Sequence, residues 1–176
     1  MIKTIMASAV AMALVSFGAN AANQGQGVVN FKGTVIDAPC GIAPESADQT
    51  VDFGQISKTH LKDGISQQQN VDIKLTNCDL TKDAGTWKTV TIAFSGSSLG
   101  DGTELGTTGD TGTAIKVSTS DGNFVKFDGT TSAGTFNLKT GDNTMRYSAF
   151  VKKATGAAEV KEGEFAAVAN FNLTYQ

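Results

Sequence analysis

Gly96-Ser97-Ser98-Leu99-Gly100 has the G-x-S-x-G spacing of a nucleophile elbow, which presents a serine on a sharp turn between a strand and a helix. Acyl transfer there would need a histidine as base. The single histidine, His60, precedes the serines, and a Gly/Asp/Thr-rich stretch follows them where a helix should begin. Triads occur in more than one chain order, yet without the helix the pentapeptide reads as a turn. Asp101, Glu104 and Asp110 crowd the next loop but miss the spacing of a calcium loop, so they read as solvated acids. Asn172-Leu173-Thr174 matches a glycosylation acceptor by chance, inside a strand-like run, while His60 and Trp87 stand alone as a loop residue and a packing residue. No glycine loop opens a helix to cradle phosphate, so no cofactor is expected.

The two cysteines carry a firmer message. Met1-Ile2-Lys3, an apolar run from Ile5 to Phe17 and the closing Gly18-Ala19-Asn20-Ala21 have the form of a secretory signal peptide over residues 1–21. The apolar run is shorter than the roughly 20 residues a membrane span needs. Cys40 and Cys78 both fall in the exported part, where an even pair reads as a disulfide. A zinc site would need three or four ligands, and His60 is the only histidine available.

Cleavage after Ala21 leaves 155 of the 176 residues, enough for one domain. The 13 basic and 17 acidic residues that remain give a net charge of −4 with no basic stripe, which argues against nucleic acid as a partner.

The elements that would position these residues have period two. Val71, Ile73 and Leu75 alternate with Asp72 and Lys74; Val90, Ile92 and Phe94, Ile115 and Val117, Val125 and Phe127, and Met145, Tyr147, Ala149 and Val151 repeat the pattern. In the last run Phe165, Ala167, Ala169, Phe171, Leu173 and Tyr175 share a face opposite Asn170, Asn172 and Thr174. Between the runs stand Gly100-Asp101-Gly102, Gly109-Asp110-Thr111-Gly112, Asp121-Gly122-Asn123 and Gly141-Asp142-Asn143, all turn-like. The expectation is an Ig-like β-sandwich, with a short turn of helix within residues 55–69. Its ends are uneven. The last strand runs to Gln176 with no residues left for a neighbour. Before Cys40, Gly25, Gly27, Val29, Phe31 and Gly33 form a small or apolar face. By alternation alone this is the first strand of the chain's own sandwich, or a tail.

The stretch from Gly25 to Cys40, GQGVVNFKGTVIDAPC, resembles the mature N-terminus of chaperone–usher pilins, and the match is closest to P-type rod subunits. Ser46-Ala47-Asp48-Gln49, Val51-Asp52-Phe53-Gly54-Gln55, Leu75-Thr76-Asn77-Cys78 and the ending Val168-Ala169-Asn170-Phe171-Asn172-Leu173-Thr174-Tyr175-Gln176 continue it, with the loops around 97–112 and 128–143 matching loosely. The resemblance implies an all-β, incomplete Ig-like sandwich that lacks its final strand. A periplasmic chaperone first fills the gap, and at the outer-membrane usher the N-terminal extension of the next copy replaces it. Residues 22–33 would be that donor strand, with Gly25, Gly27, Val29, Phe31 and Gly33 facing the groove and Gly27 at a constricted pocket. Residues 34–176 would be the pilin domain. Gly163, Phe165, Ala167, Ala169, Phe171, Leu173 and Tyr175 would line the groove edge, and Gln176 would carry the carboxylate that the chaperone anchors. The implied function is the structural rod subunit of an extracellular fimbria that also contains minor pilins and a tip adhesin. The alternatives are a minor tip or adaptor pilin, or a carbohydrate-binding adhesin.

Overall fold

The computed structural model describes residues 27–81 and 87–176. The expected signal peptide and Gly25 lie outside the described residues. Among the described residues, nine strands and two short helices follow in the order β1 (Gly41–Ile42), α1 (Pro44–Ala47), α2 (Lys58–Asp63), β2 (Gln69–Cys78), β3 (Thr89–Gly96), β4 (Ser98–Leu99), β5 (Glu104–Gly106), β6 (Thr113–Thr119), β7 (Asp128–Asn137), β8 (Gly141–Lys153) and β9 (Ala169–Tyr175). They form a six-stranded sheet, β1-β2-β8-β6-β5-β4, and a three-stranded sheet, β7-β3-β9. Every strand pairing is antiparallel.

Period two decides which side chains fill the space between the sheets. Ile73 and Leu75 of β2, Val90, Ile92 and Phe94 of β3, and Met145, Tyr147, Ala149 and Val151 of β8 are all buried. The Phe94 ring stands edge-on to Tyr147 at 5.1 Å, and the Tyr147 hydroxyl donates to the Ala133 carbonyl at 3.2 Å. Burial pushes the Tyr147 phenol well above its ordinary range. A second, smaller cluster gathers Leu61 of α2, Val151 and Val160. Cys40 and Cys78 are joined, closing 38 residues of separation between the start of the domain and the end of β2.

Several expectations need correction. Residues 128–143 contain no long loop: β7 pairs along β3, and Gly141-Asp142-Asn143 opens β8. The mostly polar β7 lacks alternation because it is an edge strand, and its register shifts twice against β3. Val125 and Phe127 are buried but belong to no strand; their N–H groups donate to the Val117 and Gly102 carbonyls, each at 2.9 Å. α1 was not expected, whereas α2 falls inside the stretch read as a turn of helix.

Glu104 is also no solvated acid. It lies in β5 with only 4 % of its surface exposed. Its carboxylate accepts from the Lys152 ammonium, from the Thr155 N–H at 2.8 Å and from the Thr155 hydroxyl at 2.7 Å. Burial pushes its acidity toward the neutral form, but these donors outweigh it and hold the carboxyl below its ordinary value. Asp101 accepts from the N–H and hydroxyl of Thr103, and Asp110 pairs with Lys161 at 3.0 Å. Gly96–Gly100 runs from β3 into β4 and a turn, with the Ser97 carbonyl accepting from Gly106.

Replacing Cys40 and Cys78 by serine opens a long loop in the unfolded chain. It should lower the unfolding free energy of the mature chain by about 4 kcal/mol, read from denaturant midpoints at constant slope.

Candidate functional site

The sandwich is open along one side. β9 pairs with β3 from Ala169 opposite Gly96 to Tyr175 opposite Val90, and among the described residues no strand pairs with its other edge. Beside that edge runs a cleft of about 1300 Å³ between the two sheets. Its floor is apolar: Val71 and Ile73 from β2, Leu105 from β5, Val117 from β6 and Ala149 from β8 meet Phe94 from β3. One rim consists of residues 46–56, the other of residues 160–171.

Each rim is held in a particular way. Ser46 is buried; its hydroxyl donates to the Asp72 carbonyl at 3.2 Å and accepts from the Lys74 N–H at 3.0 Å, fastening α1 to β2. Beyond it, residues 49–56 have no regular secondary structure, and among the described residues their backbone makes no backbone–backbone hydrogen bond. The Gly54 N–H donates to the Asp52 carboxylate at 2.7 Å, which leaves most of the other backbone groups of this segment for a partner.

The second rim rests on the loop at residues 107–113. Thr108 donates its N–H to the Ala166 carbonyl at 2.8 Å, and the Lys161 N–H donates to the Thr111 carbonyl at 2.8 Å. Gly109 and Gly112 have φ of +94° and +68°. A Cβ on Gly109 would overlap the Glu164 carbonyl oxygen, and one on Gly112 would overlap that of Glu159. Both glycines are therefore needed for backbone conformation and for backbone approach.

Of the expected groove residues, Gly163, Phe165, Ala167, Ala169 and Phe171 line the cleft. Regular pairing starts only at Ala169, so the first three precede β9, anchored by the single bridge from Thr108 to Ala166. The face expected from alternation is half-buried at Phe165, Ala167, Phe171, Leu173 and Tyr175, and exposed at Ala169. Leu173 and Tyr175 do not line the cleft; they pack against the main core. Tyr175 meets the Trp87 ring edge-on at 6.3 Å, and burial raises its phenol's pKa. Gln176 is exposed, with its terminal oxygen accepting from the Lys88 and Thr89 N–H groups at 2.7 and 2.8 Å.

Residues 27–35 have no regular secondary structure. Gly27, Val29, Phe31 and Gly33 are all exposed, Phe31 to 91 %. Sequence reasoning missed the supporting role of Thr108, Gly109 and Gly112, whose glycines carried only a turn signal. It also assigned no groove role to Phe53 and Ile56, although the period-two pair Val51 and Phe53 hinted at one.

A cleft this apolar beside an unpaired strand edge is unstable toward association, and its geometry suits an extended chain that pairs on both sides. Comparison with known proteins agrees. The fimbrial protein family matches residues 29–176. KS71A fimbrillin of Escherichia coli is 55 % identical, and the Pap fimbrial major pilin protein of the same species 53 %, each over the full length of both chains. Fimbria A protein of Serratia marcescens is 44 % identical, covering 99 % of this chain and 98 % of its own. Among solved structures, a chaperone–usher pilus studied for rod uncoiling superposes with a TM-score of 0.77 at 50 % identity, covering 87 % of this chain and 97 % of the other. The P pilus rod subunit PapA gives 0.73 at 48 %, covering 79 % and 100 %.

Gly109→Ala should displace the rim carbonyl at Glu164. The expected cost is about 1–3 kcal/mol, with faster amide exchange at residues 159–166 and unchanged exchange in β2 and β8.

Proposed function

The chain belongs to the fimbrial protein family, and on that premise we propose that it is a rod subunit whose cleft receives a strand lent by the next copy. It is a structural pilin of the chaperone–usher type, and its copies polymerise into an extracellular fimbria. Its partners are further copies of itself, the periplasmic chaperone, the outer-membrane usher, minor pilins and a tip adhesin. Among the described residues no helix is long and apolar enough to cross a membrane.

In this reading residues 1–21 are removed on export, residues 22–33 are the donor strand and residues 34–176 are the pilin domain. The observation that carries it is the open apolar cleft beside the free edge of β9. The strand at hand has the matching properties. Residues 25–33 span about 30 Å when extended. Val29 and Phe31 are exposed here, and each would contribute roughly 1.5–3 kcal/mol if fully covered. The lent backbone would pair with β9 on one side and with residues 49–56 on the other. Strand addition of this kind is known from chaperone–pilin complementation. Gln176, exposed at the end of β9, supplies the carboxylate for the chaperone's anchoring cations.

Deleting residues 22–33 should leave a subunit that is recovered with the chaperone but cannot join a fibre behind another subunit. Long rods of that variant under the electron microscope would refute the donor assignment. Gly27→Asn should block or slow polymerisation while chaperone binding persists; rods of normal length would remove Gly27 from the constricted position.

A further inference from the structure

Of the residues on the cleft floor, Leu105 has the least backbone to hold it. β5 is three residues long and meets β4 and β6 at two positions each. Ile73 and Ala149, by contrast, stand in strands of 10 and 13 residues. Yet Leu105 spans the sandwich. A Cβ on Gly96 would overlap its methyl group and press on the Val168 carbonyl, so the side chain reaches from the six-stranded sheet to β3 and the approach to β9. It lines the cleft at that point. A small tilt of β5 would therefore change the room left beside the first residues of β9.

The neighbouring residue prevents that tilt. Glu104 and Leu105 are adjacent in a strand, so they face opposite sides of the sheet. On the side away from the cleft the Glu104 carboxylate is buried, and it accepts from the Lys152 ammonium and from both the N–H and the hydroxyl of Thr155. These partners are themselves anchored. Lys152 belongs to β8, which is paired with β6 up to Lys153, and the Ala154 N–H donates to the Gly112 carbonyl at 2.9 Å.

Such a pair is a poor source of stability, because taking two charges out of water costs about as much as their attraction returns. What it imposes is geometry. An apolar pair would tolerate sliding, whereas a carboxylate shared among three donors has one position in which all are satisfied.

We propose that Glu104 is a positioning residue for strand exchange: through Lys152 and Thr155 it holds Leu105 where the strand lent by a second copy packs on it, and so sets how long that strand is retained. The inference rests on the donor-strand reading above.

The test follows release of a labelled synthetic peptide of residues 22–36 from the mature chain. Glu104→Gln keeps the size of the side chain but puts an NH2 donor where one carboxylate oxygen accepts, and release should be about tenfold faster. Leu105→Ala should also speed release. Adding Glu104→Gln to Leu105→Ala should then change little, because the effect of Glu104 passes through Leu105. Hydrogen exchange in β2 and β3 should stay at the wild-type level in Glu104→Gln, which a general loss of stability would not allow. A folded Glu104→Gln chain that retains the peptide as long as the wild type overturns the positioning role and leaves the donor strand standing; so does an equal effect with and without Leu105. If Glu104→Gln does not fold, Thr155→Val, which removes only the hydroxyl donor, decides by the same comparison. A peptide that the wild-type chain does not hold overturns the donor-strand reading itself.

Discussion

The molecule is organised around one unpaired strand edge. β9 has its inner face against the core and β3 on one side, while its other side opens on an apolar cleft. The two hydrophobic clusters make the consequence visible. The main core under β2, β3 and β8 and the smaller one at Leu61, Val151 and Val160 share Phe53 and Ile115 as half-buried neighbours, and both border the cleft. A strand laid there would cover both at once. The chain thus has the walls of one core and lacks the element that would seal it.

Keeping such a cleft open takes structure of its own. An apolar slot between two mobile rims would collapse, because burying its walls against each other is favourable. Here one rim is fastened through the buried hydroxyl of Ser46, and the other through Thr108 and two glycines that admit the backbone of residues 159–164. Glu104 adds to this from beneath. Its carboxylate gathers Lys152 and Thr155, fixing β5 and hence Leu105 on the groove floor. Gly96 has the same logic: a Cβ there would overlap Leu105 and press on the Val168 carbonyl. These polar and glycine positions shape a binding surface more than they fill a core.

What could be read from the sequence follows from which forces are local. β2, β3, β8 and β9 were legible because each is covered on one face, which forces alternation on the residues themselves. β7 was not, since an edge strand of Thr, Ser and Gly with two register shifts has little apolar face to display. Val125 and Phe127 gave the opposite error: their alternation is genuine burial, satisfied by hydrogen bonds to Val117 and Gly102 without a ladder. Glu104 could not be separated from Asp101 and Asp110, because its partners lie about 50 residues away. Gly109 and Gly112 announced a turn, but the carbonyls they admit come from a distant segment. The rings of Phe53 and Phe165 meet at 6.4 Å, joining two parts of the chain whose local patterns are silent about each other. The run from Phe165 to Tyr175 was legible as one face, but only its part up to Phe171 lines the cleft, while Leu173 and Tyr175 pack against the main core.

The same deficit settles the kind of assembly. A subunit with one groove and one lent strand makes a contact between two different surfaces, so the interface is heterologous. Such contacts repeat without limit unless a rotation happens to close them into a ring, and otherwise they give an open filament. Each new copy covers the previous groove and brings an empty one of its own, so the exposed apolar cleft is never removed from the growing end, only moved along. Ordinary proteins blunt an edge strand to avoid this outcome. Here the edge is left unpaired among the described residues and the rims are held apart; in the proposed reading, residues 22–33 of a further copy supply the complementary strand. Polymerisation is then the completion of a fold, repeated once per subunit, and the fibre is held by the interactions that would otherwise have closed a single domain.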